Sequence, residues 1–189
     1  MWKNLYQLAI SSLSIYYKIT SFFGNEKSIK SIKGRKNWKK NIVKLNSEKT
    51  NYWIHAASHG EGLMAIPLIK KIISNENNQV IITFFSPSGY ENFQYLNNQV
   101  FKSYIPLDFK KNAENFISLI KPKHLIFVKY DLWMNFIELC QKNKIPVSVF
   151  SSKFHNGQWY FKYYGRWAYN ILKKLSNIFT IDNASKSFL

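Results

Sequence analysis

The sequence predicts a doubly wound α/β domain, in which helices cover both faces of a parallel β-sheet. From residue 52 onward, short apolar runs alternate with helical stretches, and this alternation is typical of such folds. Most of the apolar runs are continuous rather than alternating in polarity, as expected for strands that are buried on both faces. Short loops that contain proline or glycine separate the elements.

The first predicted element is a helix over residues 2–23. Six polar residues recur at helical spacing and form one narrow row, and apolar residues cover the rest of the helix surface. The polar row consists of Lys3, Gln7, Ser11, Ser14, Lys18 and Ser21. Polar residues interrupt the apolar run, so we do not expect a membrane span, and the pattern of a signal peptide is lacking. Gly24 ends the helix.

A basic segment follows this helix, at residues 27–49. Residues 1–50 contain eleven basic and two acidic residues. An apolar helix next to a basic cluster is suited to an anionic membrane surface. We therefore expect this segment to lie on a membrane, with contacts from Trp2, Leu5, Leu13, Phe22 and Arg35. The alternative is a helix docked on its own domain beside a solvated charged loop.

Six strands and five helices follow in regular order. The predicted strands cover residues 52–57, 80–85, 103–105, 124–128, 147–150 and 178–181. The predicted helices cover 61–74, 88–97, 109–120, 131–143 and 158–175. We therefore assign residues 1–50 to a membrane-proximal segment and residues 51–189 to the α/β domain.

The composition is that of a folded chain with a large basic excess. Of the 189 residues, 46% are hydrophobic and 17% aromatic, which excludes an intrinsically disordered chain. Cys140 is the only cysteine, so an internal disulfide framework and a cysteine-based zinc site are excluded. The formal charge is +17, and 25 of the 27 basic residues are lysine. Two explanations remain open: drift toward lysine over a moderately basic face, and selected binding to a polyanion or an anionic membrane.

The end of the first predicted strand carries the strongest candidate for chemistry. Ser58, His59, Gly60 and Glu61 follow this strand, where doubly wound sheets bind their ligands. Glu61 begins the next helix, and its carboxylate is placed to accept a proton from a hydroxyl above the strand end. The alternative is that Glu61 is a first-turn acid of the common kind.

The end of the second predicted strand carries hydroxyl groups. Ser86, Ser88 and Gly89 surround the start of a helix, where free N–H groups and hydroxyls suit an anion or a sugar hydroxyl. A serine N-cap followed by proline explains the same residues without a ligand. The spacings of a P-loop and of a Gly-x-Gly-x-x-Gly turn are absent.

The fourth and fifth predicted strands add charged residues at the same rim. Lys129 and Asp131 follow the fourth strand, and Lys153 follows the fifth. Charges at the edge of a buried run pair with each other or face a cleft, so we expect Lys129 and Asp131 to pair with each other or with Glu61. An acid among cations suits a hydroxylated, anionic substrate. The four histidines lie on different segments, and we expect no metal site.

Several motifs in register resemble those of the 3-deoxy-D-manno-octulosonic acid (Kdo) transferases of lipopolysaccharide synthesis. Residues 53–61 read WIHAASHGE and are followed by AIPL at 65–68, and residues 83–89 read TFFSPSG. In the same order come YIPLD at 104–108, KP at 121–122, YDLW at 130–133 and KIPV at 144–147. Glycine and arginine at 34–35 fit the same family. The resemblance covers nearly the whole chain.

The resemblance implies one half of a GT-B glycosyltransferase, with two Rossmann-like domains around the active site. This chain then holds the lipid A precursor, and an expected second domain, absent from these residues, holds CMP-Kdo. The transfer inverts the anomeric centre without a catalytic metal or another cofactor. Glu61 matches the family's glutamate and is implied to be the general base. The implied location is the cytoplasmic face of the bacterial inner membrane, in contact with anionic lipids.

Two other functions stay open at this point. One is a non-catalytic membrane-surface domain for anionic lipid, either a relic or a subunit that works with a separately encoded donor domain. The other is a basic nucleic-acid-binding protein, which only the charge suggests, since no nucleic-acid-binding motif is present. The family resemblance favours the transferase, so we do not expect nucleic acid as a partner.

Overall fold

The computed structural model describes residues 2–188, so the outermost predicted domain limits at 1 and 189 lie outside the described residues. Its helices are α1 (Trp2–Phe22), α2 (Glu26–Lys36), α3 (Lys39–Ile42), α4 (His59–Ile73), α5 (Pro87–Asn92), α6 (Lys110–Ile120), α7 (Met134–Lys142), α8 (Arg166–Leu172) and α9 (Asn183–Lys186). Its strands are β1 (Thr50–Ala56), β2 (Asn78–Phe84), β3 (Val100–Tyr104), β4 (His124–Val128), β5 (Val147–Ser152) and β6 (Asn177–Thr180).

The six strands form one parallel sheet in the order β3-β2-β1-β4-β5-β6. Tyr52 of β1 lies opposite Val80 of β2 and His124 of β4, so the three central strands are aligned. The chain builds outward from β1 to β3 and then crosses back to place β4 on the other side of β1. This order is that of the Rossmann-like doubly wound fold, as the sequence predicts.

Alternate residues of the central strands enter two separate cores. Ile54 and Ala56 of β1 pack on one face with Ala65 and Ile69 of α4. Trp53 of β1 packs on the other face, where the core includes residues of α1, α3, α6, α7 and α8. Both faces of each central strand are therefore buried, which explains the continuous apolar runs in the sequence.

The N-terminal helices pack on the domain rather than standing apart from it. The hydroxyl group of Tyr6 donates a 2.6 Å hydrogen bond to the Asp108 carboxylate. The same carboxylate accepts the N–H groups of Asn135 and Phe136 at the start of α7, at 2.9 and 3.1 Å. Burial raises the pKa of Asp108 to about 6, and these hydrogen bonds oppose the rise. A single buried carboxyl group thus joins α1 to α7.

Three predicted helices are shorter than the sequence suggests. The helix predicted at 88–97 ends at Asn92, because Phe93 adopts an extended conformation and is buried. The helix predicted at 131–143 begins only at Met134, since residues 129–133 form the turn after β4. In the segment predicted at 158–175, two 3₁₀ turns precede α8, and Gly165 packs directly on the backbone of Trp159.

Candidate functional site

The carboxyl ends of β1 and β4 form the centre of the candidate site. These strands are neighbours, yet the chain between them runs out to β3 and returns on the other face of the sheet. Parallel α/β sheets bind ligands outside the strand ends at such a switch point. Residues 57–61 follow β1 and residues 129–133 follow β4, so both groups line the position at which this fold accommodates a ligand.

Glu61 lies in the first turn of α4, and its carboxylate is held against the backbone that follows β1. The Ser58 hydroxyl caps the helix by accepting the Glu61 N–H at 3.4 Å. In return, Glu61 Oε2 accepts a 2.6 Å hydrogen bond from the Ala57 N–H. These reciprocal bonds resemble a capping box, in which serine and glutamate satisfy the free N–H groups of a helix start. The carboxylate therefore has a structural role as well as its position at the rim.

The surroundings of Glu61 raise the pKa of its carboxyl group on balance. Partial burial raises the pKa of its carboxyl group, the hydrogen bond from Ala57 and the charge of Lys129 lower it, and the charge of Asp131 raises it again. A carboxylate with a raised pKa accepts a proton more readily when it remains ionised at the working pH. Burial is the largest of these influences, so the pKa of Glu61 lies above its usual value.

The turn after β4 places Lys129 and Asp131 beside Glu61. Lys129 has a left-handed backbone with φ of 62°, and its N–H donates to Phe150 O at 2.8 Å. Lys129 forms no ion pair with Asp131 or Glu61 within 4.0 Å in the part of the chain that the structure describes. The predicted pairing is therefore wrong for Asp131, which is hydrogen-bonded to His55 Nε2 at 3.1 Å instead. Lys129 acts on Glu61 through its charge alone.

His55 is the member of the site that the sequence analysis missed. Its Nε2 lies 3.1 Å from Asp131 Oδ2, and its Nδ1 lies 3.0 Å from Thr83 Oγ1. Thr83 Oγ1 accepts the indole N–H of Trp53 at 2.8 Å, and the indole N–H of Trp133 lies 3.1 Å from Asp131 Oδ2. When the Thr83 hydroxyl donates to Nδ1, the Nε2–H donates to Asp131 and every group is satisfied. A histidine inside a continuous apolar strand was the available signal.

His59 and Gly60 form the outer side of the first turn of α4. Gly60 is exposed, and a Cβ atom built on it meets nothing within 4 Å. His59 is half-buried, and its Nδ1 is buried without a hydrogen-bond partner among the described residues. The space above Gly60 is therefore open to a ligand.

The turn after β2 has the geometry of a helix cap. The Ser86 hydroxyl accepts the Gly89 N–H at 3.1 Å, and the hydroxyl groups of Ser86 and Ser88 lie 3.2 Å apart. Pro87 occupies the first turn of α5. The capping explanation thus accounts for Ser86 and Gly89, and Ser88 is exposed beside them.

The remaining charged residue of the predicted rim lies further out. Lys153 follows β5, which is one strand beyond β4, and its side chain is exposed. Its carbonyl oxygen accepts a hydrogen bond from Gln158 Nε2 at 3.1 Å. Lys129 and Asp131 therefore follow the strand next to β1, whereas Lys153 follows a strand further out. No cluster of three metal-ligating side chains occurs within residues 2–188.

The five residues predicted to contact a membrane occupy different environments. Leu5 and Phe22 are exposed on α1, Phe22 by 86%, whereas Leu13 is half-buried. The Trp2 ring packs edge-on against Tyr163. Arg35 points inward, and its guanidinium donates to Phe85 O at 2.7 Å. In the described part of the chain, no helix has both the length and the apolar character that a membrane crossing requires.

Comparison with known families decides the classification of this chain. The family model of the 3-deoxy-D-manno-octulosonic-acid transferases matches residues 31–189, which contain every element from β1 onward and the whole strand-end rim. The chain belongs to the Kdo transferase family. The sequence resemblance is thereby confirmed, and Glu61 lies within the matched region.

Three curated relatives show how much of the family the chain represents. It is 37% identical over 101 residues to a bifunctional glycosyltransferase/methyltransferase of Fusobacterium nucleatum, covering 51% of this chain and 16% of the relative. It is 31% identical over 103 residues to a Haemophilus influenzae Kdo transferase, covering 53% and 24%. It is 29% identical over 108 residues to the Aquifex aeolicus Kdo transferase, covering 57% and 30%. The chain thus matches less than a third of each relative's length.

Proposed function

We propose that this chain is the acceptor-binding half of an inverting GT-B glycosyltransferase that transfers Kdo from CMP-Kdo to a lipid A precursor. Family membership supports the transferase class. The observation that carries the proposal is the position of the Glu61 carboxylate, which is held at the end of β1 with Lys129 and Asp131 in the turn after the neighbouring strand. The rim is open above Gly60, where an acceptor hydroxyl has room to approach.

The proposed reaction is a single displacement in which Glu61 acts as the general base. Its carboxylate takes the proton of the acceptor hydroxyl while that oxygen forms a bond to the anomeric carbon of Kdo. The bond from this carbon to the CMP phosphate oxygen breaks, and CMP leaves with the electron pair. Attack opposite to the leaving group inverts the anomeric centre. His55 and Trp133 position the Asp131 carboxylate beside this event.

The donor belongs to a second domain in this proposal. A GT-B enzyme binds its sugar nucleotide on the domain that faces the acceptor domain, so this chain supplies the base and the acceptor site but not the CMP-Kdo site. No metal or other cofactor is assigned to the step, because the base and the positive charge of Lys129 are supplied by side chains.

The N-terminal helices support a membrane-surface location on the cytoplasmic side of the inner membrane. The outer side of α1 presents Leu5, Leu8, Ile15, Tyr16, Ile19 and Phe22, all exposed. The adjacent α2 carries five basic residues and one acidic residue. Apolar side chains that enter the headgroup region and lysines that meet anionic lipid together favour this placement. We name the exposed apolar residues of α1 the outer stripe.

A second candidate function also draws on the outer stripe. A non-catalytic domain that binds anionic membranes needs α1 and α2 but has no use for the carboxylate of Glu61. In that case the bond from Ala57 is only a helix cap. The two functions differ in whether transfer occurs, since both include membrane binding.

The test is a transfer assay on a protein that joins this chain to a donor-binding domain of the family. CMP-Kdo and a lipid A precursor are supplied, with a second reaction that lacks the acceptor as control. We expect Kdo to appear on the lipid. Binding to anionic vesicles without any transfer contradicts the enzyme and supports the non-catalytic domain.

A further inference from the structure

A cavity of about 260 Å³ lies between α1, α2 and the loop from β3 to α6. The polar residues around it are Ser14, Tyr17, Lys18, Ser31, Arg35, Lys36 and Asn112. Three of these are cations, and no acidic residue of the described chain lines the cavity. The cavity has no role in the proposed proton transfer at Glu61.

Two residues that line this cavity each have a hydrogen-bonding atom with no partner in the described residues. These atoms are Ser31 Oγ and Arg35 Nε, and both are buried. Ser31 is only 1% exposed. Buried polar atoms in folded proteins nearly always have a partner, so two orphans one helical turn apart beside one cavity need an explanation.

The guanidinium of Arg35 is only partly satisfied by the protein. Its terminal nitrogens donate to Ser31 O at 3.3 Å and to Phe85 O at 2.7 Å. The rings of Phe85 and Tyr17 lie 4.5 and 5.3 Å from its central carbon. Aromatic faces stabilise the charge but accept no hydrogen bond from Nε–H.

A carboxylate partner for Arg35 is also missing within residues 2–188. Asp131 is close enough to raise the pKa of Arg35, although burial is the larger effect and lowers it. However, Asp131 makes its hydrogen bonds to His55 and Trp133. A largely buried arginine without an ion-pair partner is typical of a site whose counter-ion is a ligand.

We propose that this cavity binds a phosphate group, which accepts hydrogen bonds from Ser31 Oγ and Arg35 Nε and is held electrostatically by Lys18 and Lys36. A phosphate offers several acceptor oxygens and up to two negative charges, and the cavity offers a hydroxyl, a guanidinium edge and two ammonium groups. A phosphate oxygen at this position gives both orphaned donors a partner.

The location favours a phosphate that is carried by a lipid, and this part rests on the proposed function. Arg35 is bonded to the carbonyl of Phe85, which immediately precedes the cap of α5 at the strand-end rim. On the opposite side, Tyr17 and Lys18 belong to α1, which carries the outer stripe. A lipid with its chains against that stripe has its headgroup near the cavity. Free phosphate has the same chemistry, so the test separates the two sources.

The first experiment is a titration of this chain with inorganic phosphate, followed by NMR of the backbone amides and the Arg35 Nε–H. We expect saturable shifts at Ser31 and Arg35. Ser31→Ala should weaken binding about tenfold, because it removes one hydrogen bond to a charged ligand. The same change should leave the unfolding free energy equal or higher, since the lost hydroxyl has no partner without ligand.

Matched controls separate the cavity from general surface charge. Ser28→Ala, one turn earlier on α2, removes a buried hydroxyl that bonds Thr20 and does not line the cavity, so phosphate affinity should not change. Lys36→Gln and Lys27→Gln remove the same charge from α2, but only Lys36 lines the cavity. We expect only Lys36→Gln to weaken phosphate binding.

The second experiment measures binding to phosphatidylcholine vesicles that contain either phosphatidic acid or phosphatidylglycerol. Phosphatidic acid presents a phosphate monoester, whereas phosphatidylglycerol presents a diester. A preference for phosphatidic acid that Ser31→Ala abolishes supports the lipid source, and saturable binding of inorganic phosphate without that preference supports free phosphate. The proposal is overturned if neither probe shows binding that depends on Ser31, or if Lys27→Gln and Lys36→Gln have equal effects. Neither experiment uses Kdo transfer, so these outcomes are independent of Glu61.

Discussion

The turns after β1 and β2 have the same type of helix cap but different side-chain chemistry. In each, a serine follows the strand, caps the next helix, and accepts the N–H of the third residue after it. That residue is Glu61 in the first turn and Gly89 in the second. The Ser86 N–H also donates to Ala57 O at 3.0 Å, so the two turns are joined.

The difference between Glu61 and Gly89 shows which features of the two turns serve the helix cap and which do not. Ser86 caps α5 although the first turn of that helix has no carboxylate. A serine cap of this kind therefore does not need an acid in the first turn of its helix. Gly89 instead provides room, because a Cβ there would lie 2.7 Å from the Phe84 ring and 3.1 Å from the Ser58 carbonyl carbon. The second turn is thus adapted to packing, and the first presents a carboxylate at the rim.

The start of α7 is a third helix start to compare with these two. It gives the largest expected effect on the unfolding free energy. α7 has no cap from its own N-cap residue and uses the buried carboxyl group of Asp108. Because burial raises the pKa of Asp108 to about 6, protonation favours the folded state, and this contribution is lost as the pH rises from about 4 to 6. We expect the titration of Asp108 to lower the unfolding free energy by about 3 kcal/mol over this pH range.

The measurement is the denaturant unfolding of the wild type and of Asp108→Asn between pH 4 and 7. The difference between the two proteins isolates the titration of this one group. A difference that stays constant with pH, or that rises in favour of the wild type, contradicts the assignment of Asp108 as a carboxyl group with a raised pKa.

Alanine substitutions at the two turn glycines test the packing difference. Gly89→Ala should lower the unfolding free energy by about 2 kcal/mol, because the new Cβ overlaps the Phe84 ring and the Ser58 backbone. Gly60→Ala meets nothing and should stabilise α4 by up to about 1 kcal/mol. The urea unfolding midpoints of both variants test this expectation. Equal effects of the two substitutions would contradict the difference in packing between the two turns.

Substitutions of the two capping serines should have the smallest effects on the unfolding free energy, and the two effects should be similar. Ser58→Ala and Ser86→Ala each remove one bond to a helix N–H, so each should cost about 1 kcal/mol of unfolding free energy. Thermal unfolding of both single variants checks this. A loss at only one of the two positions would show that the turns are not equivalent as caps.

Sequence patterns predicted the sheet well because strands that are buried on both faces have continuous apolar sequences. The runs at 52–57 and 80–85 are continuous and apolar, and both are central strands. The turn serines and Glu61 were also predictable, since strand ends collect at one edge of a parallel sheet. These features depend on local patterns and on a general rule of topology.

Contacts between distant segments were not predictable in the same way. The partner of Asp131 is His55, which is 76 residues away, and the guanidinium of Arg35 contacts Phe85, which is 50 residues away. The helix predicted at 158–175 is interrupted because Gly165 packs on Trp159, which is a tertiary requirement rather than a helix-breaking signal alone. Side-chain pairing of this kind depends on the assembled fold.

In the proposed function, the Glu61 carboxylate takes a proton and does more than cap α4. Glu61→Gln separates these roles, because glutamine keeps an oxygen that accepts the Ala57 N–H but cannot serve as a base at neutral pH. The measurement is kcat for Kdo transfer, together with the unfolding free energy, in a protein that combines this chain with a donor-binding domain. Glu76→Gln, a change at an exposed acid just beyond α4, is the charge-matched control.

We expect Glu61→Gln to lower kcat at least about 100-fold and to change the unfolding free energy by less than about 1 kcal/mol. Glu76→Gln should leave both unchanged. Transfer at the wild-type rate by Glu61→Gln, in a protein that is equally stable, would contradict the assignment of Glu61 as the general base.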